Sequence, residues 1–302
     1  MEEAEKIWMD GKFVDWKKAN IHILTHTFHY GAGVFEGIRC YNTDKGPAIF
    51  RLKEHIDRLF NSADIIGIKV PYSKEDFLKA CKEIVKVNKL NSCYLRPIIY
   101  YGYGQLGVNP LSSPVNCAIA AWSWGKYLGE EGVAKGIRLM KSSFTRNNKN
   151  ILNPAKVNGN YVNSVLAKKE AVSAGFEEAV LLDNEDFVSE CSGENLFIVK
   201  NGVIKTVPKG SILPGITRDT VLKVAQDMKH ETKEELFRID ELYNADECFL
   251  TGTAAEITPV REVDNKTIGN GKPGEITKKL QKLYSDIVQG KVKEYDHWLD
   301  YV

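Results

Sequence analysis

Two glutamates set among small residues, between runs that read as core strands, constrain this chain more than any other feature. The apolar run AVLLD (179–183) and the run LFIV (196–199) both read as strands, and Glu190 and Glu194 stand between them in VSECSGEN (188–195). Glutamate is rarely buried deeply unless it is paired, so an acidic pair in such a setting asks for a cation. Taken alone, the pattern suits a turn with solvated acids equally well. Signals on either side favour a site. Upstream, Lys156 lies in NPAKVNGNY (153–161), between Pro154 and Gly159, in a stretch with no other charge. Downstream, LPGIT (213–217) opens a helix, whose N-terminal N–H groups favour an anion.

The 302 residues suffice for two α/β lobes or one large domain. Acids and bases are well mixed and sum to +1, which points to neither nucleic acid nor an anionic membrane surface. No apolar run approaches the ~18 residues of a membrane span. The first residues are acidic and lack the apolar core of a secretion signal. Cys40, Cys81, Cys93, Cys117, Cys191 and Cys248 are scattered without a CxxC pair. They read as reduced, buried thiols of a cytoplasmic protein.

Along the chain, Asp10-Gly11 marks a tight hairpin. His22, His26 and His29 are too loosely spaced, with no acid or cysteine to complete a set, to predict a metal site. Residues 31–39 read as a flexible apolar loop running into a strand. A first helix buries Ile56, Leu59, Phe60 and Ala63, and Ser73 with Asp76 caps a second. Pro97 inside the strand-like 94–101 predicts an edge, bulge or end. The GYGQLG at 102–107 is a literal GxGxxG, but Pro110 and Pro114 break any helix that would carry a pyrophosphate, so a dinucleotide site is rejected. A polar, glycine-rich stretch at 123–132 reads as a linker. Beyond it, a helix ending at Gly175 carries Val165, Leu166 and Val172 as its inner face. Four strands follow between 179 and 207, with a hairpin at Asn201-Gly202, then a helix from about Thr217 to Lys229.

A lysine, an acid and an anion-binding helix start are the parts a pyridoxal 5'-phosphate site requires: the cofactor is the electron sink, and the protein supplies orientation and charge. The motifs PAKVNGNY, SECSGENLF, LPGITRD and TGTAAEITPV resemble those of the class IV aminotransferases, and within them most closely the branched-chain amino acid aminotransferases. The resemblance runs from about Trp8 to the C-terminus. It implies that Lys156 forms the Schiff base and shuttles the Cα proton, that Tyr161 hydrogen-bonds the phenolate oxygen, and that Glu190 faces the pyridine nitrogen. On pattern alone Tyr161 is equally a core aromatic. Glu194 is given no such role and reads as structural. Leu213, Gly215, Ile216 and Thr217 would hold the phosphate, although a plain threonine cap has the same spacing. Thr253 would add a hydroxyl, and Arg58, in His55-x-x-Arg58-Leu59, a cation. Its plainer reading is an exposed helical arginine paired with an acid. For the substrate the resemblance points to Phe35, Gly37, Tyr94, Arg96, Tyr127, Thr253 and Ala254. Tyr30 and Val108 would reach a neighbouring subunit's site.

The expectation is therefore an α/β protein of the fold type IV class. It would have a small N-terminal domain (1–122), a linker (123–132) and a large domain (133–302), with the cofactor between two lobes. The implied reaction is transamination of L-leucine, L-isoleucine or L-valine with 2-oxoglutarate by a homodimer or higher homo-oligomer. Amino acids and 2-oxo acids would be the small-molecule partners, and no metal is expected. The alternatives are a D-amino acid transaminase or an aminodeoxychorismate lyase of the same class, or a non-catalytic binding protein that kept the fold.

Overall fold

A computed structural model describes residues 2–125, 129–146 and 152–302. The first strands and helices are β1 (Lys6–Met9), β2 (Lys12–Asp15), α1 (His26–Tyr30), β3 (Gly33–Phe35), β4 (Ile38–Thr43), β5 (Gly46–Phe50), α2 (Leu52–Ile65), α3 (Lys74–Val87), β6 (Cys93–Tyr101) and β7 (Val115–Trp122). Then come α4 (Gly129–Lys135), β8 (Ile137–Arg146), α5 (Tyr161–Ser173), β9 (Glu178–Asp183), β10 (Val188–Cys191), β11 (Asn195–Lys200) and β12 (Val203–Thr206). The chain closes with α6 (Ile216–Asp227), β13 (Thr232–Glu234), α7 (Ile239–Tyr243), β14 (Glu247–Gly252), β15 (Glu256–Val263), β16 (Lys266–Thr267), α8 (Glu275–Val288) and β17 (Leu299–Tyr301). Two compact units result: Met1–Gly125 with Ala155–Asn160 and Asp286–Val302, and Lys126–Pro154 with Tyr161–Ser285.

The first unit is built on an antiparallel sheet in the order β17-β5-β4-β6-β7-β1-β2, with β3 also on β6. Its local signals act as expected. Asp10 and Gly11 take left-handed φ values of 46° and 82° at the hairpin, and Ser73 with Asp76 forms a reciprocal capping box on α3. Alternation along β6 and β7 sends Leu95, Ile99, Cys117 and Ile119 into a core shared with Ile56 and Leu59 of α2 and Phe77 and Ile84 of α3. The other face of β6 carries Tyr94, Arg96, Ile98 and Tyr100. Two expectations need correction. Pro97 sits on a central strand between β4 and β7. It is tolerated because the ladder breaks beside it: Phe35 pairs with Ile98 and Ile38 with Leu95, and Glu36-Gly37 between them leave the sheet. The missing N–H of Pro97 falls at that gap, where its carbonyl accepts from Glu36 N at 2.9 Å. The supposed loop 31–39 contains β3 and the start of β4, both largely buried.

The second unit holds a mixed sheet in the order β10-β9-β8-β15-β14-β11-β12-β13. The expected hairpin turn is present, with Asn201 at φ 51° and Gly202 at φ 78°. One face packs Val180, Leu196, Ile198, Leu250 and Val260 together, and on the other Ala179 and Leu181 meet α5. That packing corrects the inner face expected for α5. Ala167 and Ala171 are buried, whereas Val165, Leu166 and Val172 are exposed, because the close approach to β9 admits only small side chains. No described helix is long and apolar enough to cross a membrane.

Candidate active site

In the first unit, Lys156 is held through its backbone. Its N–H donates to Ser62 Oγ at 3.0 Å, and the same hydroxyl donates to the Arg58 carbonyl at 2.8 Å, one turn back on α2. Its carbonyl accepts from Phe35 N at 3.1 Å, and Val157 bridges Val34. The lysine is thus pinned between a helix and a strand, and Nζ lies 5.0 Å from the centre of the Phe35 ring. Gly31 allows this approach: it is left-handed at φ 69°, and a Cβ there would come within 2.8 Å of Gly159 Cα.

Arg58 is not an exposed helical arginine. Its Nε and Nη2 donate to the two oxygens of Glu36 at 2.6 and 2.9 Å, and His55 Nδ1 lies 2.7 Å from Glu36 Oε2. Glu36 has no exposed surface. Burial opposes its ionisation, but Arg58 and His55 outweigh that and hold the carboxyl well below the usual range. Burial lowers His55 in turn, Glu36 partly offsets this, and Arg58 and Lys156 lower it further. Glu36 is not singled out from sequence, and His55 enters there only as the start of the His55-x-x-Arg58-Leu59 element. The hint was the acid interrupting the apolar run 31–38.

Phe35, Gly37, Tyr94 and Arg96 come together. The Arg96 guanidinium lies 5.1 Å from the Phe35 ring centre and 5.4 Å from that of Tyr94, and its buried Nε has no hydrogen-bond partner among the described residues. Tyr94 is braced edge-on by Trp124 at 4.4 Å, and a Cβ on Gly37 would collide with the Tyr94 hydroxyl. The aromatic wall is therefore fixed, and glycine is required beneath it. Tyr30 (47% exposed) and Val108 (85%) lie outside this cluster among other exposed apolar groups, including Phe28, Leu106 and Leu111. The histidines nearby serve the backbone. His26 Nε2 meets the Gly107 carbonyl at 2.9 Å, His29 Nε2 meets that of Ile23 at 2.8 Å, and His22 stacks on Tyr103. Tyr127 lies outside the described residues.

In the second unit, Glu190 is 6% exposed. Its Oε1 pairs with Arg146 Nη2 at 2.9 Å, and its Oε2 accepts from Asn195 Nδ2 and Leu213 N, each at 3.1 Å. Asn195 Nδ2 also donates to the Leu213 carbonyl at 2.9 Å, so one side chain ties the acid to the loop ahead of α6. Gly215 N-caps α6 with no side-chain hydrogen bond, which excludes a threonine cap. A Cβ on Gly215 would strike Asn195 Oδ1. Ile216 and Thr217 open the helix and are buried. Tyr161 begins α5. Thr253 and Ala254 follow β14, whose Thr251 Oγ1 is buried without a partner among the described residues. Arg146 and Asn195 escaped the sequence reading.

Comparison with known proteins gives a consistent result. Residues 33–263 match the family described as amino-transferase class IV. A branched-chain-amino-acid aminotransferase of Pseudomonas aeruginosa is 50% identical over 293 residues, covering 97% of this chain and 95% of that one. The crystal structure of the T.th. branched-chain amino acid aminotransferase with pyridoxamine 5'-phosphate superposes with a TM-score of 0.96 at 50% identity, covering 100% of this chain and 99% of the other. The same protein complexed with N-(5'-phosphopyridoxyl)-L-glutamate gives 0.95 at 48% identity, with the same coverage.

Proposed function

The chain belongs to the class IV amino-transferase family, and from that premise we propose the reaction and the residues that carry it. The enzyme transfers the amino group of L-leucine, L-isoleucine or L-valine to 2-oxoglutarate, giving the 2-oxo acid and L-glutamate, with pyridoxal 5'-phosphate as cofactor. When bound, the cofactor withdraws electrons from the Cα of the amino acid, so that its proton becomes removable.

The side chains present fit that group. Lys156 offers an amine on a fixed backbone, and its Nζ takes up and returns the Cα proton. Glu190, ion-paired to Arg146 and tethered by Asn195, presents a negative charge to the pyridine nitrogen. The amides of Ile216 and Thr217, at a helix start that no side chain caps, receive the phosphate with Leu213 and Gly215. Thr253 adds its hydroxyl. Arg58, oriented by Glu36, adds the cation, and the Tyr161 hydroxyl binds the phenolic oxygen. Phe35, Gly37 and Tyr94 wall the pocket for the aliphatic side chain, and Thr253 with Ala254 holds the substrate carboxylate.

The observation that carries the substrate assignment is Arg96, a cation whose buried Nε has no hydrogen-bond partner among the described residues, set over two aromatic rings. Leucine needs the apolar wall. Glutamate and 2-oxoglutarate need a partner for a distal carboxylate, which is too costly to bury alone. The test is a panel of amino donors of both hands, with cofactor absorbance recorded as each is mixed with the holoenzyme. Branched-chain L-amino acids and L-glutamate should convert the spectrum within one turnover. Conversion by D-amino acids alone would transfer the assignment to the D-specific relatives.

The working unit in this reading is a homodimer or larger. Support comes from the exposed apolar groups around Tyr30 and Val108, a patch of the kind that marks a protein interface; the two residues complete a second copy's substrate pocket. Light scattering at assay concentration checks this, and a fully active monomer would refute it. Cytoplasmic residence is part of the same reading, supported by six free, buried cysteines.

A further inference from the structure

The segment that follows β6 leaves the sheet with little to hold it. Within residues 104–111, Leu106, Val108 and Leu111 are all exposed. Among the described residues, one hydrogen bond ties this stretch to anything outside 104–113: His26 Nε2 donates to the Gly107 carbonyl at 2.9 Å. A carbonyl only accepts, so Nε2 carries the hydrogen. Gly107, at φ 136°, holds a backbone that residues with side chains rarely adopt, and Val108 follows it directly.

His26 itself is 1% exposed. Its backbone N–H donates to the Gly102 carbonyl at 3.1 Å. Thr27 Oγ1, beside it, accepts from Tyr101 N at 2.9 Å and donates to the Ala32 carbonyl at 2.6 Å. The His26 ring lies 4.7 Å from that of Tyr30, one turn on along α1, and 5.7 Å from that of Tyr101. Nδ1 is buried without a partner among the described residues, so the bond to Gly107 is the polar anchor of the ring. One side chain therefore meets both Tyr30 and the turn that presents Val108.

We propose that His26 is a positioning residue for the substrate pocket: it locks α1 and the 104–111 segment into one block, so that Tyr30 and Val108 keep fixed places relative to each other. That the pocket they serve belongs to a second copy rests on the reading of these two residues given above. A segment ordered in advance loses less entropy when substrate binds than one that must be ordered at that moment. The effect of His26 therefore falls on KM rather than on the chemical step.

The test uses hybrid dimers of the full-length holoenzyme, co-expressed with two affinity tags and purified through both. In the first hybrid, a chain carrying both His26→Phe and Lys156→Ala is paired with a wild-type chain. The working site then belongs to the wild-type chain and receives the loosened segment. In the second, a His26→Phe chain is paired with a Lys156→Ala chain, so the working site receives an intact segment. Phenylalanine keeps a ring against Tyr30 and Tyr101 and removes the N–H. Relative to wild type paired with Lys156→Ala, the first hybrid should lose about two- to tenfold in kcat/KM for L-leucine, chiefly through KM, and the second should be unchanged. His26→Gln, which restores an N–H at similar reach, should recover most of the loss.

A defect confined to the second hybrid would overturn the reading that the segment serves a second copy and leave the positioning role standing. No defect in either, an equal defect in both, or a defect that glutamine does not repair would overturn the proposal. If the tagged chains do not associate, the dimer reading fails, and the rise in KM of the His26→Phe chain with its repair by glutamine decides the proposal. Should His26→Phe not fold, His26→Asn takes its place, since the shorter amide stops short of Gly107; equal KM for the Gln and Asn chains would then overturn it.

Discussion

Replacing Arg96 with methionine separates the two substrates that one pocket must accept. Methionine fills the volume of the arginine stem and keeps contact with Phe35 and Tyr94, but removes the charge. For glutamate and 2-oxoglutarate the lost partner is a charge-assisted hydrogen bond of about 1.5–3 kcal/mol, which is a roughly ten- to hundredfold fall in kcat/KM. For leucine the loss is confined to the cation's contact with two aromatic rings at 5.1 and 5.4 Å. At ~0.5–1 kcal/mol that is at most about fivefold. The half-reactions are read separately by stopped-flow absorbance of the cofactor under single-turnover conditions. Equal losses for leucine and glutamate would refute the reasoning and make Arg96 a brace for the wall, or a site for the carboxylate that both substrates share.

Lys156→Ala should abolish turnover while leaving the circular dichroism spectrum intact, and borohydride should no longer fix cofactor to the chain; an adduct mapped to another lysine would reassign the role. Glu190→Gln should lower kcat far more than it weakens cofactor binding, because the shape survives and the charge does not, and near-normal turnover would mark Glu190 as structural. Glu36→Gln leaves Arg58 and His55 without their shared anion and should cost about 3–5 kcal/mol in urea unfolding. Since the Glu36 carboxyl is held low in the folded chain, it contributes stability above the ordinary carboxylate value that is lost as pH falls through its depressed one. The variant's deficit should therefore shrink on acidification, as read from denaturation midpoints.

Much of this was legible because it is local. Asn201-Gly202 and Asp10-Gly11 announce their turns through left-handed backbone that few other pairs accept, and Ser73 caps a helix with a partner three residues away. The lysine, acid and helix start of the candidate site are likewise contiguous motifs. What escaped depends on distant pairing. Glu36 finds His55 and Arg58 at separations of 19 and 22 residues. Glu190 finds Arg146 at the end of β8, and no local pattern announces that pair. Pro97 misled because a proline's cost in a sheet depends on its neighbour, here a ladder that parts at Glu36-Gly37. On α5 the aliphatic stripe suggested burial, yet it is the small Ala167 and Ala171 that pack with Ala179 and Leu181 of β9. Glu194 resembles Glu190 in sequence and differs in surroundings alone: one acid is ion-paired to Arg146, the other accepts from the backbone N–H of Gly193.

The most direct test of the account is transfer of label. Holoenzyme is incubated with 2-oxoglutarate and L-leucine, L-isoleucine or L-valine carrying nitrogen-15 in the amino group, and the products are read by mass spectrometry. The account predicts labelled L-glutamate together with the matching 2-oxo acid in equal amounts, and none from the D-enantiomers. Label retained in the branched-chain amino acid, or glutamate formed from D-donors only, would contradict it.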